Sequence, residues 1–514
     1  MASEPAGDEI NNSEKEVRGN GSVSTDASGG QASEEGHFKR ALGLVDSSAV
    51  VVGSMIGSGI FIVSAQTARD VGCAGYLLLC WVLAGLLTLA AALCYSELAA
   101  MFPQAGGQYV FLRRTYGPIA GFLYGWTLFG VIQSGTIAAV GVGFAKFLGV
   151  FVPDINSSNV LISMGGWNLN VLQVVAVGLI ALLTAVNCRG IEAAKFIQTT
   201  FTAAKLFALA AIILLGFLAF DRFGGLQPNL ANFWNAVEAT THKPLVGFDL
   251  MLTVGVAMVG ALFSCDAWNN ITFAGEEVKE PEKVLPKSLT IGTLIVVSLY
   301  LLANIVYLCL LPVTGDPHAT TVVGRGIQFA AEDRVGTAAA EIIFGPIGKS
   351  IMAGAIMIST FGCLNGLILA GARVYYAMAR DGLFFKKAGH LDKNTGVPVF
   401  GLIVQGVWSA ILATTGTYGN LLDFVVFAAL LFYLLTVAAV IILRVKEPDL
   451  PRPYKVIGYP IVPILYLVSA ALVMAGQFKR PEYPGFGLLI ILSGLPVYFL
   501  WRSRKASSNA EPQG

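Results

Sequence analysis

Gly53-Ser54-Met55-Ile56-Gly57-Ser58-Gly59-Ile60-Phe61 interrupts an apolar run that extends over residues 44–69. Its glycines each cost about 1 kcal/mol of helix propensity relative to Ala. A bilayer tolerates non-helical backbone only where that backbone is buried in protein or lines a wet cavity. Alone, the glycines are accounted for by close helix packing through small residues. A second interruption shifts the balance. Phe263-Ser264-Cys265-Asp266-Ala267-Trp268-Asn269-Asn270 sets a carboxylate, two amides and a hydroxyl in the middle of another apolar run, 244–277. Two interrupted helices at corresponding positions of two halves are the signature of an inverted repeat with a substrate site near the membrane midplane.

The composition fits a bilayer protein. Of 514 residues, 55% are apolar and 13% charged, and the mean hydropathy is +0.69. A soluble domain carries about a quarter charged residues, so a soluble enzyme is excluded. The net charge of +1 and the lack of a basic stripe leave no footprint for nucleic acid. Cysteines 73, 80, 94, 188, 265, 309 and 363 stand singly in mostly apolar stretches, and the four His lie far apart. They read as small buried hydrophobes and isolated side chains, so neither a metal nor another cofactor is expected. No nucleophile–base pair or metal cluster points to an intramembrane enzyme.

Residues 1–38 are acidic, polar and too poor in apolar side chains to fold, and read as a solvated tail without a cleavable signal peptide. Residues 39–505 form the membrane domain, and 506–514 a short second tail. Apolar runs long enough to cross about 30 Å of hydrocarbon lie at 44–69, 74–102, 117–150, 169–188, 193–219, 244–277, 287–312, 342–380, 397–415, 419–446, 458–477 and 485–503. The eighth is long enough to continue into a cytoplasmic helix. The loop 313–341 is the longest external one, and its Ala-rich part around 327–341 is expected to form a short surface helix. Lys and Arg are roughly threefold more frequent on one side of these runs. This places both termini in the cytoplasm of a multi-pass cell-membrane protein.

A helix broken at Gly57–Gly59 presents free N–H groups at the start of its second half, with the positive end of the helix dipole behind them. That is a carboxylate receptor built without a charged side chain. The break at Asp266 offers carbonyl oxygens and a carboxylate, which suit an ammonium group. Together they bracket a zwitterion, an α-amino acid. Lys205 lies near mid-depth of the fifth run, too deep to snorkel to the interface; its ammonium must pair with carbonyls or titrate. Glu97 and Arg373, near run ends, read as structural. Glu276-Glu277-Val278-Lys279-Glu280-Pro281-Glu282-Lys283 reads as a solvated helix terminus that contributes to closure on the cytoplasmic side.

These segments resemble the amino acid–polyamine–organocation permease superfamily, and within it the L-type amino-acid transporter light chains and their prokaryotic relatives. The matching stretches are Gly57-Ser58-Gly59-Ile60-Phe61, Pro103-Gln104-Ala105-Gly106-Gly107-Gln108-Tyr109 and Phe201-Thr202-Ala203-Ala204-Lys205-Leu206. They continue with Trp268-Asn269 and Glu276-Glu277, Gly371-Ala372-Arg373 and Ala379-Arg380-Asp381-Gly382. Arg452-Pro453-Tyr454-Lys455-Val456 and Leu492-Ser493-Gly494-Leu495-Pro496-Val497-Tyr498-Phe499 complete them.

The resemblance implies an all-α integral membrane protein with a leucine-transporter-like five-plus-five inverted repeat and two further helices. It implies substrate carboxylate at Gly57–Gly59, substrate amine near the Ile56 and Phe263 carbonyls, and Phe263 as a gate over the site. It also implies that Lys205 stands where sodium-coupled relatives hold an ion, leaving proton symport or obligatory exchange. Mammalian-type light chains carry a Cys in the loop between the third and fourth spans for a disulfide to a heavy chain. Here Pro153–Trp167 has none, so no disulfide-linked heavy chain is supported. Asp266 and Ala267 stand where members selective for large neutral substrates have two Gly. Asp266 is able to neutralise a cationic side chain, to contact an α-amine or to carry a proton; with a neutral substrate it is expected to be hydrated or bonded to Asn269 or Asn270. The expected function is a secondary amino-acid transporter for neutral and, through Asp266, cationic substrates, with Ile56, Gly57, Ser58, Gly59, Phe263, Asp266 and Asn269 at the substrate. The alternatives are an amino-acid-binding receptor without net transport, or a permease of polyamines and other organic cations.

Overall fold

The structure, a computed structural model, describes residues 40–165, 167–219, 226–237, 243–415, 418–478 and 482–508. The acidic tail expected over 1–38 lies outside these residues, as does the chain after Ser508.

Among the described residues, eight helices are long and apolar enough to cross a membrane, and one further span is a bent pair, Leu44–Met55 and Gly59–Val71, kinked by 42°. Shorter apolar helices at Val399–Thr415, Ile461–Gln477 and Gly487–Trp501 complete a series of twelve that follows the apolar runs of the sequence. The helix starts and stops follow local chemistry. Pro118, Pro281 and Pro346 open the third, seventh and eighth spans at the first helical turn, where the missing N–H removes no helical bond. Gly72 ends the second half of span one in the left-handed conformation, at φ 64°. The eighth helix runs unbroken from Pro346 to Arg380, at about 1.5 Å per residue well beyond the hydrocarbon thickness.

The loop between spans three and four folds into an antiparallel hairpin of Val160–Met164 and Trp167–Asn170. In the external loop expected at 313–341, the Ala-rich helix spans Val335–Phe344, but it is not a surface helix. Val335 to Ala340 are buried, and a Cβ at Gly336 would stand 2.7 Å from the Phe61 ring. Small side chains let this helix settle against the second half of span one, where a bulkier one would have to ride on the surface. All seven cysteines are free thiols, six of them buried and Cys188 half-buried.

Candidate substrate site at two broken helices

The first half of span one ends at Met55, so its last carbonyls have no donor within the helix. Side chains from three other spans supply the donors. Lys205 Nζ in span five donates to Gly53 O at 2.5 Å and to Ile56 O at 2.9 Å. Cys363 Sγ in span eight donates to Ser54 O at 3.1 Å. Tyr300 OH in span seven donates to Met55 O at 2.9 Å, and Ser359 Oγ in span eight to Ile56 O at 3.2 Å. Lys205 is 1% exposed. It is the only one of these donors with a full charge. Both lone pairs of Ile56 O are engaged, so a substrate amine there must share that oxygen or displace a donor.

Ile56, Gly57, Ser58 and Gly59 are all buried. The second half of the span begins at Gly59; Phe61 N donates back to Ser58 O at 3.1 Å, and the amides before it have no acceptor a full turn back within the helix. Close packing also explains these glycines. A Cβ at Gly59 would lie 2.9 Å from the Ser264 Cβ in span six, and one at Gly57 would lie 3.2 Å from Cys363 Sγ. The two breaks therefore touch one another through Gly59 and Ser264.

In span six the helix Gly247–Ser264 stops and resumes as the short turn Asn270–Phe273. Asp266 N donates to Phe263 O at 3.1 Å, and Ala267 adopts φ 66°. Left-handed backbone costs an L-residue roughly 1–2 kcal/mol, so the segment stays open only because its surroundings hold it. The Asp266 carboxylate accepts a hydrogen bond from Tyr433 OH in span ten. Its partner is thus neither Asn269 nor Asn270. Asn269 Nδ2 donates to Gln108 Oε1 at 3.3 Å, and Gln108 Nε2 in turn to Thr436 Oγ1 at 3.0 Å. Asn270 Nδ2 is buried without a hydrogen-bond partner. Phe263, on the last turn before the break, is 7% exposed.

The motif Pro103–Tyr109 wraps this break. Gly106 and Gly107 have φ of 103° and 44°, and Gly106 N donates to Phe273 O at 3.1 Å. A Cβ at Gly107 would lie 2.8 Å from the Thr272 backbone. Only glycine satisfies both that conformation and that approach.

Two clefts meet at Asp266 and Tyr433, of about 10 Å³ and about 20 Å³. Each has room for a single water, so this conformation is closed around the carboxylate. Leu128 and Ile132, within a π-type turn of span three, line one of them; such turns mark functional positions in helices. A larger cavity of about 470 Å³ opens beyond Gly260, one turn before Phe263. Arg69, Asp70, Lys146, Asp333 and Asp423 line it. Arg69 pairs with Asp333 at 2.8 Å, and Asp333 sits in a left-handed pair with Glu332, at φ 62° and 53°.

The other end of the bundle is shut by ion pairs. Arg373 Nε and Nη2 hold Glu277 at 2.6 and 3.1 Å. Glu97, 1% exposed, accepts from Arg444 at 2.9 and 2.5 Å and from Val456 N at 2.7 Å. Arg113 and Tyr109 both reach Asp381. The acidic run 276–283 is therefore not solvated throughout. Glu277 and Val278 are buried, because the turn at Gly275–Glu277 delivers the carboxylate onto Arg373. Downstream, Glu280 and Lys283 are exposed and pair with each other at 2.7 Å, which pulls the Glu280 carboxyl below its ordinary value.

Tyr433, Tyr300, Ser359, Cys363 and Gln108 are contributors that sequence reasoning did not single out as site residues. Each is one polar side chain in an apolar helix, and periodicity does not distinguish its inward aim. The pattern Gly106-Gly107-Gln108 was a signal for the last of them.

A chain whose described residues form a series of twelve apolar helices, broken in the first and sixth spans and carrying polar groups at both breaks, is a multi-pass membrane permease. The amino acid permease family matches residues 42–497, and the chain belongs to that family. It is 30% identical over 499 residues to the human large neutral amino acids transporter small subunit 2, covering 95% of this chain and 85% of the relative. It is 30% identical over 477 residues to the serine/threonine exchanger SteT of Bacillus subtilis (strain 168), covering 92% and 99%. It is also 30% identical over 469 residues to the mouse b(0,+)-type amino acid transporter 1, covering 90% and 88%. The family and these relatives are transporters of amino acids.

Proposed function

We propose that this protein is a sodium-independent secondary transporter of L-amino acids that works by alternating access, with both termini in the cytoplasm. The observation that carries this reading is the Lys205 ammonium bonded to the Gly53 and Ile56 carbonyls. A fixed cation already neutralises the acceptor end of the broken helix, so no bound sodium is needed to hold its two halves together. The substrate carboxylate docks at the Gly57–Gly59 amides, its amine at carbonyls of Ile56 and Phe263, and Phe263 closes over it with Asn269 behind. Asp266 supplies the countercharge for a cationic substrate side chain. The cavity beyond Gly260 serves as the outer vestibule. The relatives' names cover large neutral amino acids, serine and threonine exchange and b(0,+)-type amino-acid transport, which supports exchange of neutral amino acids; the admission of cationic ones rests on Asp266. The cysteine-free loop at Pro153–Trp167 gives a heavy chain no disulfide.

The test is uptake of labelled leucine into liposomes containing the purified protein. Uptake should require unlabelled amino acid inside and should ignore a sodium gradient. Sodium-stimulated uptake overturns the role of Lys205, and binding with no uptake under any gradient makes the protein a receptor. Competition by arginine and by leucine, in wild type and Asp266→Asn, decides the charge reading. The variant should lose arginine competition much more than leucine competition; equal loss assigns Asp266 to the α-amine or to the helix break.

A further inference from the structure

We infer that Tyr433 is a specificity-determining positioning residue: its hydroxyl satisfies Asp266 while a neutral substrate is carried and gives way when a cationic side chain takes the carboxylate. The inference rests on the transporter reading above and assigns a role to a residue of span ten.

A carboxylate inside a membrane span persists only when it is paired or hydrogen-bonded. Asp266 has one side-chain donor among the described residues, the Tyr433 hydroxyl. The nearby amides serve elsewhere or not at all, since Asn269 is bonded to Gln108 and Asn270 Nδ2 has no partner. The phenol is held in place by two rings. Its ring meets Tyr95 edge-on at 5.8 Å and Trp268 at 5.6 Å, and Tyr95 and Trp268 meet each other at 4.7 Å. These rings fix the hydroxyl over the left-handed Ala267 turn that presents the carboxylate.

Asp266 and Tyr433 together line both of the water-sized clefts, so a substrate side chain occupying either one meets this pair. A leucine side chain offers the carboxylate nothing, and Tyr433 remains its donor. A guanidinium or ammonium supplies donors of its own and makes the phenol dispensable. Loss of the hydroxyl should therefore penalise neutral substrates selectively, the inverse of what loss of the carboxylate does.

The experiment compares kcat/KM for labelled leucine and arginine in liposomes for wild type, Tyr433→Phe, Asp266→Asn and the double variant. The phenylalanine keeps the ring contacts and removes only the hydroxyl. In Tyr433→Phe the arginine-to-leucine ratio should rise at least about tenfold, the usual scale for a lost hydrogen bond to a charged group. In the Asp266→Asn background the same change should move leucine transport by less than about twofold, because an amide leaves no charge to satisfy. Equal losses for both substrates, no loss for either, or the same leucine loss in both backgrounds would each overturn the inference. If wild type carries no arginine, the cationic reading fails by itself, and the leucine comparison between the two backgrounds still decides the role of Tyr433.

Discussion

The two broken spans solve the same backbone problem in opposite ways. At the first break every carbonyl from Gly53 to Ile56 is met by a side chain from span five, seven or eight. At the sixth, the carboxylate of Asp266 has one side-chain donor, the Tyr433 phenol, beside the Ala267 backbone N–H; Asn270 Nδ2 has no partner, and Ala267 is held in the left-handed region. The acceptor side of the first break is saturated and behaves as a fixed scaffold. The sixth is under-satisfied, so small changes in what approaches it alter its energy most. Substrate discrimination belongs at the second kind of site, because a saturated one has little left to exchange.

Removal of Lys205 is expected to have the largest effect on this contrast. Lys205→Met leaves the Gly53 and Ile56 carbonyls short of a charged donor in a buried site, which should cost roughly 2–5 kcal/mol. Transport should vanish and the melting temperature in detergent should fall; a variant that melts like wild type would mean the scaffold does not depend on the ammonium.

Next in size is Gly59→Ala, which drives a methyl into Ser264 and should abolish uptake. The double change with Ser264→Gly removes most of that clash. If folding returns, measured by size-exclusion profile and melting, while uptake stays absent, Gly59 is needed by the substrate. If uptake returns as well, packing was its whole role.

Ser359→Ala should cost about 1 kcal/mol, because Ile56 O keeps its bond from Lys205, and transport should be only mildly reduced. The smallest change has the opposite sign. Ala267→Gly relieves a left-handed L-residue and should raise stability by about 1 kcal/mol, read as a higher melting temperature. A loss of stability there would show that the Ala267 methyl is needed in its packing.

The helical runs and both breaks were legible in the sequence, because hydropathy and glycine clusters are local signals. Mid-depth Lys205 was legible too, since nothing but carbonyls or a carboxylate accommodates an ammonium there. The partners were not. Tyr433 and Asp266 are separated by 167 positions and Ser359 and Ile56 by 303, and a lone hydroxyl in an apolar helix reads the same whether it faces lipid, core or site. The burial of Val335–Ala340 was missed for a related reason: small residues permit both a surface and a tightly packed helix, and only the neighbouring Phe61 chooses between them. Glu277 was placed in solvent because its charged neighbours are, and its guanidinium partner lies 96 residues away.

The thiol of Cys363, described above as a donor to Ser54 O, is 2% exposed and covered by the first span at Gly57. Any excursion that parts the first span from the eighth uncovers it. The native chain thus contains its own chemical stopwatch: with the other cysteines replaced, the rate at which a small alkylating reagent consumes this sulfur counts how often the two helices separate. Substrates that hold the pair together should slow the count, and those that drive it apart should quicken it.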